Sequence, residues 1–162
     1  MELKEEYKIS DKLYKKIYEE ETKVIHIKEY LSEGTIDKWS TLLSSISLKG
    51  TEELTLKEVV SNYAAQAVIA PGTQPNLTQF GDETGQAVDV FLLSLILLNE
   101  KDNSQEFTYQ LWDKKENGIV MFAQFSIKIL ENEEIGEVIE KYNNNWANEL
   151  LQVLRVMVPN GF

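Results

Sequence analysis

The chain has no cysteine, a single histidine and only three prolines among its 162 residues. The absence of cysteine excludes disulfide bonds, thiolate zinc sites and cysteine nucleophiles. A catalytic triad or a histidine-bearing metal site would have to use His26. Because His26 lies in a strand-like segment beside Lys28 with no companion motif, we expect a structural or merely exposed role for it.

Motifs that mark enzymes and cofactor sites are also missing. The sequence contains no glycine-rich phosphate loop and no Gly-x-Ser-x-Gly element. Asp82-Glu83 and Asp102-Asn103 offer loop oxygens, but neither pair has the residue spacing of a calcium-binding loop. We therefore expect no cofactor, no metal site and no enzymatic activity.

Acidic residues outnumber basic residues, and the formal net charge is −11. Such a charge repels phosphate backbones and anionic membrane surfaces, so we expect no binding to nucleic acid. The charge is explained either by solubility or by an acidic face that binds a basic protein partner. The run Val88–Leu98 is apolar apart from Asp89 and Ser94, but it has only about 11 residues, whereas a membrane-spanning helix needs roughly 20.

Length and composition predict one globular domain over residues 1–162, since 43% hydrophobic and 27% charged residues are ordinary values. The N-terminal sequence Met1–Glu6 lacks the apolar segment of a signal peptide. The chain as given therefore predicts a cytoplasmic location. A periplasmic or exported location is expected instead if Met1 follows a signal that has been removed.

The segment 119–130 alternates strictly between apolar and polar residues, which indicates a strand with a committed core face. A two-residue turn before it would place Thr108 and Gln110 on that face. A three-residue turn at 116–118 makes every core position apolar, pairs Leu111 with Ala123, and needs Gly118 in the left-handed conformation. The core face then carries Tyr109 and Phe107 of the preceding strand, and the alternating residues Ile119, Met121, Ala123, Phe125, Ile127 and Ile129.

Continuing the pattern through the polar loop Glu100–Ser104 places Phe91, Leu93, Leu95 and Leu97 on the same core face. The opposite face then carries a local apolar cluster, which a helix, a partner subunit or a ligand must cover. Two roles are compatible with Trp112: it packs in a core under a helix, or it forms part of a surface that binds a ligand or a partner. The candidate partner-binding residues are Trp112, Phe122 and Leu92 of this cluster, together with Asp82 and Glu83 of the long polar loop 71–87.

Two helices are predicted from their apolar faces. The first covers about 55–69, where Thr55 and Glu58 form a capping box. The second covers about 133–154, and the poor helix formers Asn143–Asn145 weaken its middle. Short strands are expected at 5–9, 23–31 and 156–158. Residues 12–20 suit either a helix or a strand, and Thr41–Leu48 suits a strand or the continuation of a preceding helix.

The segment Ile27–Trp39 resembles a pattern in small exported bacterial proteins with the PsbP/DcrB-like fold. In that family a strand bearing a Glu-Tyr or Glu-Phe pair, here Glu29-Tyr30, leads into a turn with glycine, threonine and tryptophan, here Gly34, Thr35 and Trp39. The C-terminal sequence Leu154–Pro159 is similar as well. The resemblance implies an α+β fold: an α/β/α sandwich with about five to six antiparallel strands and helices on its faces. It also implies an accessory factor without an enzymatic site.

Three functions are compatible with these features. The first is a non-enzymatic accessory protein that recognises a protein partner through its acidic surface, the 71–87 loop or the Trp112 cluster. The second is an acidic secretion chaperone or an immunity-type inhibitor of a toxin, which also predicts a homodimer. The third is a small-molecule carrier or an enzyme, which predicts a concave pocket with convergent polar groups near His26 or the 81–85 loop.

Overall fold

The computed structural model describes residues 4–81 and 84–160, and within these ranges the chain forms eight β-strands and three α-helices. No helix in these ranges is both long and apolar enough to cross a bilayer. The helices are α1 (Leu56–Gln66), α2 (Ile135–Asn145) and α3 (Ala147–Met157). The strands are β1 (Glu6–Ile9), β2 (Lys12–Glu21), β3 (Ile25–Leu31), β4 (Thr41–Leu48), β5 (Asn76–Gly81), β6 (Ala87–Leu98), β7 (Gln105–Lys114) and β8 (Val120–Ile129).

The eight strands form one antiparallel sheet in the order β1-β2-β3-β4-β8-β7-β6-β5. Strands β1–β4 follow one another as a meander, and the connection through α1 then leads to the far edge of the sheet. Strands β5–β8 run back until β8 pairs with β4 over eight residues, from Thr41 opposite Ile127 to Leu48 opposite Val120. Both halves of the chain therefore meet at the centre of the sheet.

The predicted α/β/α sandwich with five to six strands is wrong. The sheet is larger because residues 12–21 form a long strand and because residues 76–81 form an edge strand inside the predicted polar loop 71–87. Each helix has only 11 residues, and α1 packs mainly against β6 and β7. The helices are thus short covers on an eight-stranded sheet, not complete layers.

One core lies between the sheet and the helices α2 and α3. Leu150 and Leu154 of α3 are fully buried, and each contributes about 1.5–3 kcal/mol by removing its side chain from water. They share this core with Phe125 of β8 and with Tyr142 of α2. Tyr142 contacts Phe107 edge-to-face, with 5.2 Å between the ring centroids.

A second core lies under α1, on the opposite face of the sheet. The predicted capping box at the start of α1 is confirmed, because the Thr55 hydroxyl accepts a hydrogen bond from the Glu58 N–H (3.1 Å) and the Glu58 carboxylate accepts one from the Thr55 N–H (2.8 Å). Helix α1 buries its apolar side over the stacked rings of Trp112 and Phe122, whose centroids are 4.2 Å apart. The buried residues of α1 are Leu56, Val59 and Val60.

The predicted register of the β7–β8 hairpin is confirmed. Leu111 lies opposite Ala123, Tyr109 lies opposite Phe125 and Phe107 lies opposite Ile127. The backbone N–H of Gly118 donates to the carbonyl of residue 115 at the turn, and Gly118 has a φ of +88°. The strict alternation of β8 set this register, since a one-residue slip would have turned its apolar side chains away from the core.

The predicted orientation of β6 is wrong by one residue. Leu98 pairs with Gln105, so Phe91 lies opposite Trp112 and shares the face of α1. Leu93 and Leu95 follow Phe91 onto this face, whereas Leu92 and Ile96 point to the α2–α3 core. The sequence of β6 could not fix its orientation because both of its faces are apolar.

Four other segments either decide between predicted alternatives or differ from the prediction. Residues 12–21 and 41–48 form strands, so the helical alternatives for both segments are wrong. The predicted helix 133–154 is two helices that meet at Trp146, directly after Asn143–Asn145. The predicted strand 156–158 is wrong because α3 continues to Met157.

Candidate functional site

The structure separates the residues that the sequence suggested for partner binding. Trp112 and Phe122 do lie together, but α1 covers them and their exposed fractions are 0% and 2%. Leu92 lies on the other face of the sheet, opposite Leu111 in the neighbouring strand. Asp82 and Glu83 lie outside the described residues. The Trp112 cluster is therefore a core under a helix, and it presents no surface to a partner.

A cavity of about 710 Å³ lies on the α2–α3 face of the sheet, and we call it the His26 pocket. Five parts of the chain form it. Strand β3 contributes His26 and Lys28, and β4 contributes Ser45 and Ser47. The β7–β8 turn contributes residues 115–117, β8 contributes Met121, and the end of α3 contributes Met157 and Pro159.

The strand geometry explains why polar residues converge here. Successive side chains of a strand alternate between the faces of the sheet, so His26 and Lys28 point the same way, as do Ser45 and Ser47. The pairing of β3 with β4 places His26 opposite Ser47 and Lys28 opposite Ser45. Four polar side chains therefore form one compact patch, and Met121 continues the row of Ser47 on β8.

The segment after α3 forms one wall of the pocket, and a buried carboxylate holds this segment in place. Asp113 is fully buried, and its carboxylate accepts hydrogen bonds from the backbone N–H (2.5 Å) and the side-chain amide (2.9 Å) of Asn160. It also accepts one from the backbone N–H of Lys114 (2.7 Å). These charge-assisted bonds attach the segment around Pro159 to the end of β7 and so hold the wall in place.

The acidic residues at the rim are already engaged by basic neighbours. The Glu19 carboxylate accepts hydrogen bonds from Lys16 Nζ (2.9 Å) and His26 Nε2 (2.8 Å), which lower its pKa from 4.5 to about 2. The Glu21 carboxylate pairs with Lys49 Nζ at 2.8 Å, and this contact likewise lowers the pKa of Glu21. Both carboxylates still act on the pocket lysines at longer range, since the charge of Lys28 also lowers the pKa of Glu19 and the charge of Glu21 raises the pKa of Lys115.

Lys28 and Lys115 form no ion pair with any residue in the described ranges. Burial lowers the pKa of Lys115, and the positive charge of Lys28 lowers it further, while Glu21 opposes this effect. Two ammonium groups thus repel each other across a partly desolvated cavity. The exposed Glu116 is the only carboxylate among the described residues that line it.

The chemistry available to the pocket is anion binding. Ammonium, imidazole and hydroxyl groups donate hydrogen bonds to carboxylate or phosphate oxygens. No hydrogen bond joins His26 to Ser47 in the described part of the chain, so the pocket lacks the contact between base and nucleophile that activates a serine. Within the same ranges, no group of three or more histidine and acidic side chains is placed to hold a metal ion.

From the sequence, His26 was expected to be structural or exposed, and a pocket near it or near the 81–85 loop was expected only for a carrier or an enzyme. Lys28, Lys115 and the two serines were missed as a group. The signal that was available is the spacing of two residues in each strand, His26 with Lys28 and Ser45 with Ser47. This spacing indicates a shared site only when the pairing of β3 with β4 and its register are known.

Comparison with protein-family models, with curated proteins and with solved structures gives no match for this chain. The resemblance to PsbP/DcrB-like proteins therefore stays a prediction.

Proposed function

We propose that this protein is a non-enzymatic binding protein that holds a small anionic ligand, bearing a carboxylate or a phosphate, in the His26 pocket. The observation that carries this proposal is the pair Lys28 and Lys115. In a chain with a net charge of −11, both ammonium groups face one cavity without an ion-pair partner among the described residues.

The energetics favour an anion in this position. A bound anion would offset the repulsion between the two ammonium groups and the cost of their partial desolvation. The hydroxyls of Ser45 and Ser47 would supply further hydrogen bonds to its oxygens. A volume of about 710 Å³ lies in the range of small-molecule sites, about 300–1,000 Å³, and Met121, Met157 and Pro159 offer an apolar wall for the body of the ligand.

The Trp112 cluster does not support recognition of a protein, because α1 buries it. Recognition of a basic protein by the acidic surface stays a prediction, and no contact of the described residues bears on it. The carrier function is supported better because it has a formed cavity with donors that converge on one point.

The first experiment is isothermal titration calorimetry with inorganic phosphate and with hexanoate as probes. Wild type is compared with Lys28→Gln and Lys115→Gln, and with Lys57→Gln, an exposed lysine on α1 at the other face of the sheet. We expect the two pocket variants to bind the better probe at least about tenfold more weakly, since a hydrogen bond to a charged group contributes about 1.5–3 kcal/mol. The control Lys57→Gln should match wild type.

A second readout follows Lys115 itself. The pKa of its ammonium group, measured by ¹³C NMR at Cε, should rise when the probe binds, because an anion stabilises the charged form. The resonance of Lys57 should not move. If neither probe binds, or if Lys57→Gln weakens binding as much as Lys115→Gln, the anion site is wrong.

A further inference from the structure

A second cavity, of about 450 Å³, lies on the opposite face of the sheet, on the face that carries α1 but beyond the area that α1 covers. We call it the Trp39 cavity. Trp39 and Ile36 of the β3–β4 connection lie over it, and the ammonium group of Lys128 lies 4.5 Å from the centre of the Trp39 ring. Besides Tyr18, five polar residues from four strands line the cavity: Glu29, Ser44, Glu106, Gln124 and Ser126.

The two serine hydroxyls have no hydrogen-bond partner among the described residues. Ser44 is 1% exposed and Ser126 is 0% exposed, both hydroxyls are buried, and both residues belong to the lining of the cavity. Buried polar groups in folded proteins are nearly always paired, because an unpaired one loses its hydrogen bonds to water without replacement. A ligand that donates hydrogen bonds would satisfy both hydroxyls.

The two carboxyl groups are half-buried, and within the described ranges neither forms an ion pair or a side-chain hydrogen bond. Burial raises the pKa of Glu29, and the charge of Glu106 raises it further. Burial also raises the pKa of Glu106, although Lys128 opposes this shift. Lys128 compensates Glu106 in part, so the charge of Glu29 is the one that lacks a counter-charge.

The unsatisfied groups together define the ligand. Water can satisfy the serine hydroxyls, but it carries no charge to offset a desolvated carboxylate. An ammonium group has three donors and one positive charge, and it can also approach an aromatic ring such as Tyr18. We propose that the Trp39 cavity binds an alkylammonium group, with Glu29 as its counter-charge and with Ser44 and Ser126 as hydrogen-bond acceptors.

The alkylammonium group belongs either to a free amine or to a lysine side chain of another protein, and the test has an arm for each. Wild type is titrated with n-butylammonium chloride, with its neutral isostere n-butanol, and with the capped peptide Gly-Lys-Gly, by NMR at pH 7.5. We expect saturable binding of n-butylammonium and none of n-butanol. Tighter binding of the peptide would assign the site to a protein partner, and tighter binding of n-butylammonium would assign it to a free amine.

Variants test whether the named residues bind n-butylammonium. Glu29→Gln keeps the size of the side chain and removes its charge, so it should weaken binding of n-butylammonium at least about tenfold. The matched control is Glu140→Gln on the exposed side of α2, which should bind like wild type. Lys115→Gln should also bind like wild type, which separates this site from the His26 pocket.

A stability readout distinguishes a ligand site from a merely structural cavity. Glu29→Gln removes a partly desolvated charge and Ser126→Ala removes a buried unpaired hydroxyl, so each should raise the unfolding temperature while weakening binding. Absence of saturable n-butylammonium binding to wild type would overturn the proposal. Equal binding of n-butanol, or a loss in Glu140→Gln as large as in Glu29→Gln, would overturn it as well.

Discussion

At the scale of single residues, Glu19 links the rim of the His26 pocket to two basic side chains, and its titration can be predicted. The hydrogen bond from Lys16 is the main cause that lowers its pKa from 4.5 to about 2, followed by the one from His26. Because the pKa is lower in the folded state, this contact stabilises the fold fully above pH 4.5. The stabilisation is lost as the pH falls from about 4.5 towards 2.

The measurement is a ¹³C NMR titration of the Glu19 carboxyl carbon in wild type and in Lys16→Met. We expect a midpoint near 2 in wild type and a midpoint closer to 4.5 in the variant. Lys57→Met, which removes a lysine far from Glu19, serves as the control and should leave the titration unchanged. A wild-type midpoint at the ordinary value would show that the Lys16 and His26 contacts do not form in solution.

Substitution of Trp112 should lower the free energy of unfolding more than substitution of a surface aromatic residue. Its Nε1–H donates a hydrogen bond of 2.9 Å to Gln110 Oε1, and both residues are fully buried. Trp112→Phe would leave this oxygen unpaired, so we expect the free energy of unfolding to fall by about 1–3 kcal/mol. Urea unfolding measures the change. The partly exposed Trp39 provides the comparison, and Trp39→Phe should cost less than about 1 kcal/mol.

At the scale of elements, two glycines should respond to alanine with opposite signs. Gly118 occupies the left-handed region at the β7–β8 turn, where a Cβ costs about 1–2 kcal/mol. Gly136 lies in the first turn of α2, and a Cβ there would meet no atom within 4 Å. Because alanine favours helices by up to about 1 kcal/mol over glycine, Gly136→Ala should stabilise the fold while Gly118→Ala destabilises it. Urea midpoints that move in the same direction for both variants would contradict this.

The elements that were predictable from sequence are those whose signals are local. The capping box of Thr55 and Glu58 lies within four residues, and the alternation of β8 fixes its partner strand without knowledge of the rest of the sheet. Strand β6 has no such signal, because it is buried on both faces and its apolar residues fit either orientation. The edge strand β5 was hidden in a segment of polar residues, most of which are exposed.

The candidate site was much less predictable than the fold. The His26 pocket needs β3 beside β4 and the β7–β8 turn beside the end of α3. These contacts join residues that are far apart in the chain, and they exist only because β8 inserts beside β4. The sequence could identify His26 as the only histidine, but the lysines around it resembled ordinary surface charges.

At the scale of the whole molecule, the sheet divides the protein into two faces of different character. Among the described residues, the α2–α3 face carries a pocket with two lysines that form no ion pair, and the α1 face carries a cavity with two carboxyl groups that form none. Each cavity lies beside a hydrophobic core that fixes the strands beneath it. Such a sheet can hold two ligands of opposite charge at sites that do not overlap.

The net charge of −11 leads to a prediction for the stability of the molecule as a whole. Like charges repel more strongly in the compact state than in the unfolded chain, and salt screens this repulsion. Raising sodium chloride from about 0.02 M to about 0.5 M should therefore raise the urea midpoint, because the screening length falls to a few ångströms. The five ion pairs between lysines and carboxylates among the described residues act in the opposite direction, but every one includes a side chain that is more than a third exposed, so they contribute little.

Two variants separate this general effect from chloride binding in the His26 pocket. Glu140→Lys makes the net charge two units less negative, so its midpoint should depend less steeply on salt than that of wild type. Lys115→Gln weakens the pocket, yet it should keep a salt dependence at least as steep as that of wild type, since it makes the net charge more negative. If Lys115→Gln instead abolishes the salt dependence, stabilisation comes from an anion in the pocket, and repulsion across the whole molecule is not its cause.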